Sequence, residues 1–259
     1  MSSRSAREHL PFGTLVALGL LLALGLLGAT LLAADLPADP AAREAHFAIE
    51  REKLVQRALV GRGIKDAALL EAFRTVPRHC FVPEEQQRFA YDDRPLFIGH
   101  EQTISQPYVV AVMIREAAVE KGDRVLEVGT GSGYGAAILS ALGCEVYSIE
   151  IVKPLCRRAA ATLKALGHDR VEVRCGDGYA GWPGKAPFDA IVITAQAPRV
   201  PEPLLDQLEP GGRMVLPLGG DDFQDLIVVE KNSSGEFATR TIFPVTFVPM
   251  TGRIREPPR

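Results

Sequence analysis

From residue 107 onward, apolar positions come in short blocks whose period switches back and forth between two and about 3.6. The runs 124–128, 145–150, 171–175 and 188–194 are rich in Val, Ile and Leu and read as strands, while 107–119, 134–142 and 153–166 carry helical spacing. Strand alternating with helix predicts an α/β fold with a doubly wound, mostly parallel sheet. Parallel neighbours need long crossover connections, and helices supply them while covering both faces. A further helix is predicted at 203–208, a turn at Pro210-Gly211-Gly212 and a strand at 214–218. The runs 226–231 and 241–248 flank Asn232-Ser233-Ser234-Gly235, which reads as a hairpin turn, so the sheet is expected to end antiparallel.

Before residue 107 the pattern predicts two N-terminal helices. One covers 41–61, with Phe47, Leu54 and Ala58 on one face and Gly61 and Gly63 as its stop. The second runs from the N-cap Asp66 to Thr75, ahead of Pro77. Residues 78–107 are irregular and proline-bearing, the mark of a binding loop in a compact domain. Leu36-Pro37-Ala38-Asp39-Pro40 reads as a linker, which divides the chain into an N-terminal segment, 1–40, and one domain, 41–259. Residues 10–34 hold no charge and follow Arg4 and Arg7. That length spans a bilayer as a helix, and it also resembles a long signal peptide; the poor cleavage site at Ala33-Ala34 favours an uncleaved anchor. Membrane attachment through 10–34, or export to a periplasm-like compartment, is therefore expected.

Composition narrows the partners. The formal charge is −3, from 29 Lys and Arg against 32 Asp and Glu, which leaves no broad basic field for nucleic acid. Cys80, Cys144, Cys156 and Cys175 fall in no metal spacing and no Cys-x-x-Cys pair, so no metal site is expected and four reduced, mostly buried thiols are. Nothing in the pattern asks for an oligomer, and a monomer is expected.

The chemistry concentrates in Val125-Leu126-Glu127-Val128-Gly129-Thr130-Gly131-Ser132-Gly133, a buried strand running into a glycine turn and then a helix. Glycines at 129, 131 and 133 let backbone amides approach a ligand where a Cβ would collide. Gly131-x-Gly133-x-x-Ala136, with Glu150 at the distance of a ribose-binding carboxylate, also satisfies a dinucleotide fingerprint, which points to NAD. Glu127 argues the other way, because a fixed negative charge at the mouth of the sheet repels a pyrophosphate and attracts a cation. S-adenosylmethionine carries a sulfonium and an ammonium and no phosphate. Glu127, Glu150 and Asp177-Gly178 all stand at carboxyl ends of predicted strands, the edge where open α/β sheets bind ligands. This arrangement resembles the class I methyltransferases.

Upstream lies Ile98-Gly99-His100-Glu101-Gln102-Thr103-Ile104-Ser105-Gln106-Pro107, preceded by Val76-Pro77-Arg78-x-x-Phe81-Val82-Pro83. With the glycine loop, Gly176-Asp177-Gly178, Ala186-Pro187-Phe188-Asp189-Ala190, Leu208-x-Pro210-Gly211-Gly212-Arg213 and Phe247-Val248-Pro249-Met250-Thr251, these segments resemble the protein-L-isoaspartate O-methyltransferases over roughly 43–253. The resemblance implies transfer of a methyl group from S-adenosylmethionine to isoaspartyl residues of damaged proteins and peptides, and a cytoplasmic location that the apolar N-terminus does not match. It implies that Ser105 is the active-site residue and that Thr103, Ile104 and Gln106 meet the substrate. It also implies that Ile98, Gly99, His100, Glu101 and Thr251 line the cofactor pocket, with Glu150, Asp177 and Gly178 binding the cofactor. Glu101 departs from the family pattern, as does Gly135, which loosens the first turn of its helix by roughly 1 kcal/mol relative to Ala.

The short list of reactive side chains suits this reaction. An α-carboxylate with a pKa near 3.5 is already ionised at neutral pH, so no general base is required. What remains is to hold its oxygen in line with the methyl carbon and to exclude water. Ser105 is suited to orienting the acceptor by a hydrogen bond, although Ser three residues before Tyr108 also reads as a helix N-cap. His100 is given no catalytic role. A class I methyltransferase with another acceptor, an NAD-linked oxidoreductase and a tethered module that binds damaged protein without turnover are the competing readings.

Overall fold

The computed structural model describes residues 36–220 and 222–256; the predicted apolar segment 10–34 lies outside the described residues. Among the described residues no helix is long and apolar enough to cross a membrane.

The domain opens with helix α1 (Pro40–Leu54), whose Asp39 side chain accepts from Ala42 N, and whose last turns loosen before Gly63 ends them in the left-handed region. Helix α2 (Ala67–Thr75) starts where Asp66 accepts from Leu69 N at 2.9 Å, as the sequence predicts. Helices α3 (Pro107–Ala117), α4 (Tyr134–Ala141) and α5 (Lys153–Ala165) alternate with strands β3 (Arg124–Val128), β4 (Glu145–Glu150) and β5 (Val171–Cys175). Strand β6 (Phe188–Ile193), the one-turn helix α6 (Glu202–Leu205) and strands β7 (Leu208–Gly219), β8 (Gln224–Lys231) and β9 (Phe237–Val245) complete the chain to the sheet edge.

The seven strands run in the order β5-β4-β3-β6-β7-β8-β9, parallel through β7 and antiparallel from β7 to β9. Chain order reverses at β3, where β4 pairs on one side and β6 on the other, and that reversal opens a crevice at the strands' carboxyl ends. Side chains alternate faces: Val125, Val146, Val192 and Val215 enter the core under α2 to α5, and Leu126, Ile149, Ile191 and Met214 enter a second core. Because both faces are covered, the strands read as continuous apolar runs. The second cover differs from the expected layer of helices. The crossovers on either side of β6 carry only 3₁₀ turns and the one-turn α6, and Tyr179, Trp182, Leu204 and, from the C-terminal turn, Ile254 seal that face.

Three further expectations are corrected. Residues 78–107 contain a hairpin, β1 (Leu96–Gly99) and β2 (Gln102–Ile104), joined by His100 and Glu101 with φ of 55° and 58°. Positive φ at both loop residues is the turn that matches strand twist, but a His-Glu pair carries none of the Asn-Gly chemistry by which such turns are recognised. Pro210-Gly211-Gly212 lies inside β7, because an irregularity in the β6–β7 register absorbs the kink. Cys156 and Cys175 are disulfide-bonded with Cα atoms 5.6 Å apart; only Cys80 and Cys144 are free, and Cys80 is exposed. The expectation of four reduced thiols fails because the β4-α5-β5 crossover lays the start of α5 against the end of β5, a proximity no local spacing encodes. Reducing this bond, which closes a 19-residue separation, is expected to lower stability by about 3 kcal/mol. The denaturant midpoint should fall, and a midpoint indifferent to reductant would contradict this.

Candidate functional site

The site grows from the end of β3. Gly129, Gly131 and Gly133 all take positive φ, at 99°, 55° and 93°. At Gly129 a Cβ would lie 2.5 Å from Thr194 Oγ1, the hydroxyl that donates to Gly129 O at 2.6 Å, so both backbone angle and space require glycine. Gly133 caps α4 against Leu163 and Ala159 of α5, which makes it a packing residue of the loop.

Two carboxylates meet behind this loop. Glu150, at the end of β4, accepts from Gly131 N at 2.7 Å through Oε2 and from Val152 N at 2.8 Å through Oε1. The Glu127 side chain is buried; Ser148 Oγ donates to its Oε2 at 2.6 Å and lies 2.6 Å from Thr130 Oγ1. Burial pushes the Glu127 carboxyl up to about 8, the Ser148 bond opposes the rise and the Glu150 charge adds to it. Gly135 leaves the space that Glu127 Oε1 fills: a Cβ there would run into that oxygen. The departure at 135 thus makes room for the buried acid, which the sequence reading took only as a loosened helix.

Glu127 and Glu150 line one cavity with Gly129, Gly131, Gly178 and Thr251, and its mouth carries Thr103 and Ser105. Among the described residues no Lys, Arg or His lines it. The loop amide best placed to bind a pyrophosphate, Gly131 N–H, is already donated to Glu150. Two acids, no cation and an occupied loop amide fit a positively charged, phosphate-free ligand and do not fit a dinucleotide.

A second cavity of about 450 Å³ adjoins the first and shares Thr103, Ser105, Thr194 and Val248 with it. Its outer walls are Arg62, Tyr108 and the segment 243–248 at the sheet edge. Ser105 stands at the junction. The first amides of α3 do not use it, because Asp93 Oδ1 accepts from Tyr108 N at 2.9 Å, and Ser105 Oγ has no hydrogen-bond partner among the described residues. The N-cap role open to Ser105 in the sequence is filled by Asp93.

A protein-family model described as protein-L-isoaspartate(D-aspartate) O-methyltransferase (PCMT) matches residues 49–255. The chain belongs to this family. A protein-L-isoaspartate O-methyltransferase of Opitutus terrae is 55% identical over 202 residues, covering 78% of this chain and 87% of the relative. One from Syntrophobacter fumaroxidans is 52% identical over 221 residues, 85% and 90% of the two chains. A solved protein-L-isoaspartate O-methyltransferase superposes with a TM-score of 0.73 at 31% identity, over 79% of this chain and 67% of that one. A Plasmodium falciparum β-aspartate methyltransferase structure in complex with S-adenosyl-L-homocysteine superposes with a TM-score of 0.67 at 25% identity, over 79% and 98%.

For a PCMT-family member the residues gather unevenly about the cavities. Glu127, Gly129, Gly131, Glu150, Gly178 and Thr251 line the first cavity, together with Thr103, Ile104 and Ser105. Ile98, Gly99, His100, Glu101, Gly133 and Asp177 do not. Gly99, His100 and Glu101 are exposed at the hairpin tip, and Ile98 is buried with its carbonyl accepting from the Arg158 guanidinium, which ties the hairpin to α5. Asp177 accepts from Tyr179 N at 2.9 Å and Arg253 N at 2.8 Å. Gln106 lines the second cavity, but its amide is committed to Asp93. The sequence reading missed Ser148, Thr194, Ile151 and Arg62. Only Ile151, next to Glu150, carried a signal.

Because Glu127 holds its proton below about pH 8, a cation bound beside it should release that proton. Affinity for S-adenosylhomocysteine, which keeps the ammonium, is expected to rise with pH by up to about tenfold per unit toward pH 8 and then level off. Calorimetry at pH 7 in buffers of different ionisation enthalpy should report release of most of one proton. Glu127→Gln should flatten the dependence, and an affinity in the parent protein constant from pH 6 to 8 would exclude the coupling.

Proposed function

We propose that this chain transfers the methyl group of S-adenosylmethionine to the α-carboxylate of L-isoaspartyl residues in damaged proteins, which initiates their repair. The observation that carries this reading is the Ser105 hydroxyl, without a hydrogen-bond partner among the described residues, where an acid-lined cavity that no described Lys, Arg or His lines meets a second cleft. In this reading Glu150, steadied by two backbone amides, accepts the ribose hydroxyls with its remaining lone pairs. Glu127 faces the cationic end, and Gly178, whose missing side chain admits Val128 at close range, lines the wall beside the adenine. When bound, S-adenosylmethionine supplies a methyl group made electrophilic by the sulfonium.

The acceptor lies in the second cavity with its carboxylate at the junction. Ser105 donates to one carboxylate oxygen and leaves the other in line with the methyl group, while Thr103 and Ile104 of β2 wall the junction from water. Attack forms the methyl ester and leaves S-adenosylhomocysteine. Carboxylate and sulfonium lose their charges together, so a dry junction favours the step. The ester then cyclises to a succinimide that partly reopens as normal aspartate.

The test is transfer of labelled methyl to a peptide carrying isoaspartate, set against the same peptide with normal aspartate and against small carboxylic acids and thiols. Incorporation restricted to the isoaspartyl peptide is expected. Equal labelling of a thiol or a simple acid would leave a methyltransferase of another acceptor class, and no labelling would leave a binding module. We further propose that the domain acts as a monomer tethered through residues 10–34 and meets an oxidising environment, a reading supported by the Cys156–Cys175 bond. The mass of the mature chain and a count of two free thiols against four test it.

A further inference from the structure

We propose that Arg62 makes the enzyme prefer acceptors that carry a second carboxylate close to the isoaspartyl group. This rests on the reading above, in which the reacting carboxylate sits at Ser105. The acceptor is an anion at its reacting end, yet the two cavities are lined by two acids and, among the described residues, a single cation, Arg62.

That cation is held ready. Arg62 ends the turn Val60–Arg62 that follows α1, and its guanidinium carbon lies 3.4 Å from the centroid of the Tyr108 ring. Its Nη1 donates to Asp93 Oδ2 at 3.1 Å, and Asp93 is itself fixed by Gln106 Nε2 and Tyr108 N. One donor of five is thereby used, and the side chain stays 48% exposed at the cavity wall. A stacked, pinned guanidinium loses little freedom when a carboxylate binds it, and its planar fork favours two parallel hydrogen bonds.

The carboxylate it takes is not the reacting one. Arg62 lines only the outer cavity, whereas Ser105 lines both. A fork on the reacting carboxylate would also occupy both of its oxygens and withdraw the nucleophile. What reaches Arg62 is the acceptor chain lying along the outer cavity, so the matching group is an acidic side chain near the isoaspartyl residue. Asp93 neutralises Arg62 at a distance, so the attraction acts at contact range and registers in KM.

The test uses pairs of isoaspartyl peptides that differ only by Glu or Gln at one position within three residues of the isoaspartate. The parent enzyme is expected to favour at least one Glu peptide by about 3- to 5-fold in kcat/KM, through KM, with the ratio shrinking as salt rises. Arg62→Gln should bring that ratio to about 1, and Arg62→Lys, which keeps the charge without the fork, should retain part of it. S-adenosylhomocysteine binding checks that each variant is folded. A parent enzyme indifferent to Glu and Gln at every position, a ratio that survives Arg62→Gln, or an equal loss on both peptides would overturn the proposal. If the parent enzyme methylates none of the peptides, the failure lies with the acceptor assignment and not with Arg62.

Discussion

Replacing Glu150 with alanine is expected to weaken S-adenosylhomocysteine binding by 100-fold or more. The Glu150 carboxylate is buried and holds two loop amides, Gly131 N and Val152 N, that are otherwise unpartnered at the cavity wall. In the proposed reading it also accepts the ribose hydroxyls. Alanine removes all of these acceptors at once, and each polar group stranded in a dry site costs about 1–3 kcal/mol, where about 1.4 kcal/mol is tenfold in affinity. Glu150→Gln keeps an acceptor for one amide but turns an NH₂ toward the other donor, so an intermediate loss of roughly tenfold is expected. Calorimetric titration, with thermal melts to show that the domain remains folded, separates these outcomes. An alanine variant that binds within threefold of the parent would remove Glu150 from the cofactor site.

Ser105→Ala carries the second large effect, on rate. Methyl transfer to an isoaspartyl peptide should slow about 100-fold in kcat, while S-adenosylhomocysteine affinity changes by less than about threefold. Removing one aimed donor from a reacting oxygen costs 10²–10³ in a sealed site, and the half-open junction places Ser105 toward the lower end. The selectivity of the effect is what distinguishes the role. If Ser105 served α3 as a cap, its loss would lower stability and spare turnover. The Tyr108 amide is held by Asp93 instead, so the melting temperature should stay nearly unchanged. Ser105→Thr, which keeps a hydroxyl, should recover part of the rate. Unchanged turnover in Ser105→Ala would dismiss the orienting role.

These two residues differ in how they could be read. Glu150 was legible because a carboxylate closing the second strand of a β-α-β unit has a place dictated by topology, and the strand itself announces where it ends. Ser105 was placed by resemblance to a family segment; its own local context argued for a cap. Only Asp93, 15 positions before Tyr108, frees it. Asp177 stands just past the end of β5 as predicted, but the amide of Arg253 that its carboxylate accepts comes from far along the chain and had no signal in the sequence. Gly135 reads as a weak helix position until Glu127 is seen filling its missing side chain.

The alternation of strand and helix, the caps at Asp66 and the glycine loop, and the acids at strand ends follow from local periodicity and backbone preference, which a chain carries residue by residue. The Cys156–Cys175 bond, the release of Ser105 from capping and the placing of Arg62 on the wall of the second cavity arise from pairs of residues remote in the chain. Such contacts are selected by how whole elements pack, and packing depends on the combined shape of both partners, which no short stretch of sequence contains.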